Sequence, residues 1–245
     1  RRRAGFNKLP WVSFLSSSYP MTPHSPASQG IAMENRQIPL VAILAGGKSS
    51  RMGMDKAELM LSGMPIIEHV WNRVSSVASE VVIVGGAPKL EHLGVKTISD
   101  DYFNAGSLGG IATALNYCRQ NLGADGYVLC IACDMPFIKE ELLVRLWGLR
   151  YGCDVVVPRT GKGFEPLCAL YGVSCLKEIS GRISSGRLKI QQLFSKVRTR
   201  ELGIGEILKI DPEVSSFINI NSPDDLTAAR NHVDAGWPAM LNVGS

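Results

Sequence analysis

From Pro39 onward the chain alternates short apolar runs with amphipathic stretches, and this rhythm restricts its fold more than any other feature. Runs at 40–45, 80–84, 95–98, 127–132 and 153–157 have the length and apolar content of strands buried on both faces. Helical spacing lies between them. In residues 65–77, Ile66, Ile67, Val70, Trp71 and Val74 fall on one face, with Pro65 suited to a first turn, and residues 108–117 and 139–149 behave similarly. Strands covered on both sides and separated by helices imply right-handed crossovers, so the expected fold is a three-layer, doubly wound α/β arrangement around a mainly parallel, Rossmann-like sheet. Ligands then bind beyond the carboxyl ends of the strands.

After Pro158 the rhythm loosens. The pattern predicts a strand over 167–171, a helix over 187–194 and a strand over 217–220, and Ser222-Pro223-Asp224-Asp225 opens a last helix with a serine cap, proline in the first turn and two acids favoured by the helix dipole. Residues 1–38 are rich in Ser, Pro and Gly, do not begin with Met and read as a disordered extension or expression remnant, with Met33 a candidate start. A transit peptide fits them poorly, because their prolines break any amphipathic helix. The working domain is expected over 39–232, with a loose tail over 233–245.

Charge and cysteine usage narrow the functional classes. The formal charge of +4 comes from 26 basic and 22 acidic residues, and Arg1, Arg2, Arg3 and Lys8 account for the whole excess. The remainder is neutral and carries no basic stripe for nucleic acid. No apolar run reaches the roughly 18–20 residues of a membrane span. Six cysteines in 245 residues are too sparse for a secreted disulfide scaffold, so a reducing, cytoplasmic setting is expected. Cys130-Ile-Ala-Cys133 matches a C-x-x-C pattern, yet no second pair completes a zinc site, and strand packing is the simpler reading. His24, His69, His92 and His232 form no ligand spacing.

The segment that carries chemistry is Leu44-Ala45-Gly46-Gly47-Lys48-Ser49-Ser50-Arg51-Met52-Gly53-Met54-Asp55-Lys56, directly after a buried run. Gly46 and Gly47 permit a tight turn whose N–H groups can face phosphate oxygens, and Arg51 and Lys56 add fixed positive charge. It is neither a Walker loop nor a dinucleotide fingerprint. A plain glycine turn with solvated cations is the competing reading. Asp134 follows the apolar run 127–132 and so stands at a strand's carboxyl edge, where it serves either as a ligand facing the crevice or as a helix cap.

At these residues the sequence resembles the guanylyltransferases of molybdenum cofactor synthesis, the molybdopterin-guanine dinucleotide biosynthesis protein A family of the nucleotidyltransferase superfamily, which opens with L-A-G-G, then R-M-G and D-K. The resemblance continues through Ile98-Ser99-Asp100-Asp101, Leu108-Gly109-Gly110, Ala132-Cys133-Asp134-Met135-Pro136, Glu165-Pro166-Leu167-Cys168-Ala169-Leu170-Tyr171 and Asn219-Ile220-Asn221-Ser222-Pro223-Asp224-Asp225-Leu226, in the family's order over about residues 39–231. It implies the nucleotide-diphospho-sugar transferase fold and transfer of GMP from GTP to molybdopterin, with Mg2+ and release of pyrophosphate. Leu44, Ala45, Gly46 and Gly47 would contact the nucleotide, the first three through their backbone, and Arg51 and Lys56 would steady its phosphates.

Asp100 matches a nucleotide-contacting aspartate, with neighbouring Asp101 leaving an ambiguity of one residue, and Asp134 matches the magnesium ligand. Asn219 and Asn221, alternating along the strand expected there, would meet metal or pterin. Arg187 and Lys189, in a basic stretch of the pterin-binding half, are candidates for the pterin's terminal phosphate. Val84-Gly85-Gly86 departs from the family, which has an asparagine there, so a backbone group of Gly85 or Gly86 would take over that contact. Contact with molybdoenzymes or cofactor-delivery proteins also follows from the resemblance. Rival readings are a transferase of the same fold using CTP or another phosphorylated acceptor, a non-catalytic nucleotide-binding protein, and a nicotinamide-dependent oxidoreductase, which would need the absent G-x-G-x-x-G.

Overall fold

The computed structural model describes residues 37–46, 59–85, 91–102 and 104–234. Gly47, Arg51, Lys56 and Gly86, the expected extension over 1–36 and the tail from 235 lie outside the described residues.

Strands β1 (Ile38–Leu44), β4 (Ala78–Val84), β5 (Lys96–Ile98) and β6 (Tyr127–Ala132) form the parallel part of an eight-stranded sheet. β1 lies at its centre, in register with β4 from Ile38↔Ala78 to Leu44↔Val84 and with β6 from Val41↔Leu129 to Leu44↔Ala132. Both faces of β1 are covered, as its unbroken apolar sequence required. Val41 and Ile43 pack in a core with α1 (Ile66–Ser75), α3 (Glu140–Gly148) and α5 (Ile204–Ile210), and Leu40, Ala42 and Leu44 pack with α2 (Gly106–Leu122) and α4 (Leu176–Ser184). Each fully buried Val, Leu or Ile side chain contributes about 1.5–3 kcal/mol, so these two cores hold the three layers together. No helix among the described residues is long and apolar enough to cross a membrane.

The other half of the sheet is mixed. β9 (Cys168–Gly172) runs antiparallel to both β6 and β7 (Val155–Thr160), β10 (Thr199–Leu202) is parallel to β7 at the edge, and β8 (Gly163–Phe164) folds back on β7. Because β9 is reversed, its entry lies beside the exit of β6, and Ala132 N–H donates to Leu167 O at 2.8 Å.

A hairpin of β2 (Met60–Leu61) and β3 (Met64–Pro65) precedes α1. Leu59, Leu61 and Ile66 there share a small core with Phe137, Ile220 and Ala229, the last on α6 (Pro223–Asp234).

Two expected elements fold otherwise. Residues 187–194 hold only a 3-10 turn, Ile190–Leu193. There Lys189 O accepts both Gln192 N–H, which closes the 3-10 turn, and the guanidinium of Arg182 of α4, 2% exposed, which also donates to Gln192 Oε1. Residues 217–220 form no strand. Ser215–Phe217 is a 3-10 turn held by Asp211, and Ile220 N–H donates to Asp134 O instead of joining a ladder. The last helix begins as expected, with Asp225 N–H donating to Ser222 Oγ at 3.1 Å.

Candidate functional site

Four parallel strands deliver their exits to one edge of the sheet: Ala45 and Gly46 after β1, Gly85 after β4, Asp100 after β5 and Asp134 after β6. Ala45 N–H donates to Val84 O at 2.9 Å, and Leu44 O accepts Cys133 N–H at 3.2 Å. These two groups serve to align the strand exits, which leaves exposed Gly46 as the first residue of the turn to face the crevice.

Gly46 is crossed closely by Gly85. Gly85 has φ +99°, and a Cβ there would stand 2.7 Å from both the N and Cα atoms of Gly46. An asparagine in the same backbone position would strike Gly46, which accounts physically for glycine at position 85. Gly85 N–H is itself held by Ile98 O at 3.0 Å.

Asp100 and Asp101 differ in their surroundings. Asp100 Oδ2 would lie 3.9 Å from a Cβ placed on Gly46, while its Oδ1 accepts Tyr102 N–H at 2.9 Å and the Thr113 hydroxyl at 3.0 Å. Asp101 is exposed and accepts instead from Asn116 on α2. Asp100 is thus the carboxylate beside the glycine crossing, buttressed by Thr113. Gly109 lets α2 approach this turn, since a Cβ there would meet Ala105 Cβ at 2.9 Å and Tyr102 O at 3.0 Å.

Across β1, Asp134 lines a cleft of about 220 Å³ with Met135, Glu165, Pro166, Leu167, Asn219 and Asn221. Three chain segments build it. Asp134 comes from the exit of β6, Glu165 from the entry of reversed β9, and the two asparagines from an extended segment tied to Asp134 by the 3.0 Å bond from Ile220 N–H to its carbonyl. Thr160, at the end of β7, donates to Glu165 Oε1 at 2.8 Å and fixes that carboxylate. Asp134 is not the N-cap of α3, which starts six residues later at Glu140 with Lys139 in the N-cap position and no side-chain cap.

The donor set suits a hard cation. Asp134 and Glu165 offer carboxylates and the asparagines offer amide oxygens, while among the described residues no group of three or more His, Cys, Asp or Glu side chains could hold a metal ion. Cys130 and Cys133 do not act as a pair. Cys130 is fully buried in one core, where desolvation pushes its thiol well above the ordinary range, and Cys133 packs against the other.

The structure therefore brings together Asp134, Asn219 and Asn221, and places Gly46 beside Asp100. Arg187 and Lys189 are exposed on the segment after α4 and do not line the cleft. Glu165 was not singled out from sequence as a site residue. Its only signal is a lone acid in Glu165-Pro166 before a buried strand.

The doubly wound sheet, with a glycine crossing and carboxylates at the exits of its parallel strands, is that of an α/β nucleotidyltransferase, the class to which the family match assigns the chain. More narrowly, the chain belongs to the MobA-like NTP transferase family, whose domain model matches residues 41–199. It is 37% identical over 198 residues to the molybdenum cofactor guanylyltransferase of Desulfosudis oleivorans, covering 79% of this chain and 95% of that protein. Among solved structures it is similar to molybdopterin-guanine dinucleotide biosynthesis protein A from Archaeoglobus fulgidus, with TM-score 0.69 and 34% identity over 80% of this chain and 99% of that one. A 2-C-methyl-D-erythritol 4-phosphate cytidylyltransferase from Thermus thermophilus, at 17% identity and TM-score 0.57 over 81% of this chain and 98% of that one, shares the fold.

Proposed function

We propose that this protein is a molybdenum cofactor guanylyltransferase, transferring GMP from GTP to molybdopterin. A terminal phosphate oxygen of molybdopterin attacks the α-phosphorus of GTP. The new P–O bond forms as the bond to the β-phosphate oxygen breaks, and pyrophosphate leaves with the electron pair. The attacking phosphate is already anionic at neutral pH, so no general base is needed. What the protein supplies is alignment of two anionic reactants and cancellation of their charge.

The reading assigns the turn from Leu44 to Lys56 to the nucleotide. Exposed Gly46, followed in sequence by Gly47, offers close backbone approach, Arg51 and Lys56 offer charge to the phosphates, and Asp100 stands beside Gly46 to orient the nucleoside. Asp134 is the ligand for Mg2+, with Asn219, Asn221 and Glu165 on the facing wall. When bound there, Mg2+ neutralises phosphate oxygens and favours departure of pyrophosphate. Arg187 and Lys189, exposed on the segment after α4 and outside the cleft lining, are kept as candidates for the acceptor's phosphate. The catalytic domain spans 39–232, and a cytoplasmic setting with hand-over to molybdoenzymes fits six reduced cysteines.

One observation carries this reading: Asp134 opens into a cleft built by the family's own Glu-Pro-Leu and Asn-Ile-Asn segments, one strand away from the glycine crossing. Pyrophosphate release measured with molybdopterin, Mg2+ and each of the four nucleoside triphosphates tests it. Release with GTP and formation of the guanine dinucleotide are expected. Preference for CTP would overturn the choice of base, and binding of GTP without release would make the protein a non-catalytic nucleotide binder.

A further inference from the structure

Behind the cleft lies a carboxylate that the transfer chemistry does not use. Asp211 follows the last turn of α5 and is fully buried, where an ionised group persists only if hydrogen bonds replace its water. The Ser215 hydroxyl donates to its Oδ1 at 2.9 Å, Ser216 N–H donates to its Oδ2 at 2.7 Å, and Lys139 Nζ stands 4.0 Å from Oδ1. These bonds fold Ser215–Phe217 into a 3-10 turn entered through Val214 at φ +56°, a left-handed conformation that a β-branched residue adopts only under constraint.

That turn is tied to both walls of the cleft. Lys139 N–H donates to Ser216 Oγ at 3.0 Å, which joins the turn to the end of the segment running from Asp134 to α3. Further along, Ile220 N–H donates to Asp134 O at 3.0 Å, between Asn219 and Asn221. Asp134 is fixed independently by β6, whereas no ladder holds the asparagine segment, which is placed by the turn before it, by that bond, by Asn221 N–H donating to Asp225 Oδ2 at 2.9 Å and by Ile220 packing with Ile66 and Phe137.

We propose that Asp211 is a positioning residue for the transfer reaction, setting the separation of Asn219 and Asn221 from Asp134 by clamping the Ser215–Phe217 turn. The inference rests on the cleft's being the site of transfer. Loss of the carboxylate leaves Ser216 N–H and Lys139 without that partner, lets Val214 relax and loosens residues 218–221, while β1 and β6 keep their pairing. The nucleotide turn then keeps its grip and the alignment of the reactants is lost.

The test compares Asp211→Ala, Asp211→Asn and Ser216→Ala in the full chain, at a temperature where thermal melts show each variant folded. Asparagine can still accept Ser216 N–H through its oxygen and donate to Ser215 Oγ through its amide, so it keeps the clamp without the charge. In Asp211→Ala, kcat for pyrophosphate release is expected to fall on the order of 100-fold, with KM for GTP within about twofold of the parent. Hydrogen exchange should accelerate in peptides covering 215–221 and stay unchanged in β1 and α2. Asp211→Asn should recover most of kcat, and Ser216→Ala should fall between.

Wild-type kcat in folded Asp211→Ala, or exchange that rises evenly along the chain, would overturn the proposal. Should Asp211→Ala fail to fold, Ser216→Ala and Ser215→Ala are judged by the same two readouts. If the parent enzyme releases no pyrophosphate, the guanylyl-transfer reading fails by itself, while exchange in 215–221 still decides whether Asp211 clamps the asparagine segment.

Discussion

Replacing Gly85 by alanine tests the geometry on which the nucleotide half of the site rests. Gly85 has φ +99°, and its added methyl carbon would lie 2.7 Å from Gly46 N and Cα. Holding a non-glycine residue in that region costs about 1–3 kcal/mol. The clash adds about 1–3 kcal/mol more, because both atoms struck are backbone and cannot rotate away. A contact at 2.7 Å must open to roughly 3.5–4 Å, so the turn at Gly46 has to move by about 1 Å. Displacements of about 1 Å can cost on the order of 100-fold in rate when they fall on groups that orient a substrate.

Gly85→Ala should therefore lower Tm by roughly 4–24 °C, taking about 2–4 °C per kcal/mol for a domain of this size. Below the melting range it should lower kcat/KM for GTP by about 100-fold. Gly123→Ala separates the two causes, because Gly123 has φ +85° with nothing within 4 Å of an added Cβ. That variant should lose stability from backbone strain alone and keep the parent's GTP kinetics. Parental kcat/KM in folded Gly85→Ala would refute the crossing as a determinant of the site, and equal kinetic losses in both variants would assign the effect to instability.

Three further outcomes follow from other parts of the molecule. Asp134→Ala keeps the backbone carbonyl that receives Ile220 N–H, so it should lose about 1,000-fold or more in kcat with Tm almost unchanged, as read by pyrophosphate release and thermal melts. Gly109→Ala should cost about 1–3 kcal/mol in chemical denaturation, because its Cβ would press on Ala105 Cβ and Tyr102 O, whereas Gly110→Ala, whose Cβ would meet Leu44 Cδ2 at 3.5 Å, should be neutral or stabilising by up to about 1 kcal/mol. Asp154 concerns acid stability. The Arg198 guanidinium bonded to it at 2.7 and 3.0 Å, helped by the Ser174 hydroxyl, holds its carboxyl well below the usual range against the opposing effect of burial. A depressed folded value means that the stabilisation is complete above the unfolded carboxyl value near pH 4 and is lost as pH falls from there through the folded value. Arg198 is 69% exposed and screened by solvent, so Asp154→Asn should lose only about 2–5 °C in Tm at pH 7, and the gap should narrow below about pH 4.

The parallel half of the sheet was legible in sequence because strands buried on both faces have no polar alternation to disguise them, as in Ile38–Leu44 and Tyr127–Ala132. Asp134 was legible for the same reason, since an acid directly after such a strand has to stand at its exit. Residues 187–194 misled because nothing in their own pattern reveals the part played by Arg182 of the preceding helix. In the fold Arg182 is buried and captures the carbonyls of the following segment. Asn219 and Asn221 were paired correctly from the wrong element. Alternate residues of any extended stretch share a face, whether or not a neighbouring strand completes a ladder, and here Asp134 O takes the place of that strand.

Glu165 was hidden by strand direction. The sequence Cys-Ala-Leu-Tyr-Gly of β9 is apolar throughout, as a parallel strand would be, and nothing local reveals that it runs backwards. Direction decides which end meets the site. In parallel with β6, this strand would present Gly172 beside Asp134 and carry Glu165 to the opposite edge; reversed, it presents its entry, and Glu165 arrives fixed by Thr160 from the end of β7. The reversal thus gives β6 a neighbour whose loop bends back over its own exit, while β1 on the other side supplies the glycine turn. Asp134 consequently belongs to both halves of the crevice at once. The proposed role of Asp134, a ligand between nucleotide and acceptor, requires such a position, and β4 and β5 lie beyond β1 on the other side.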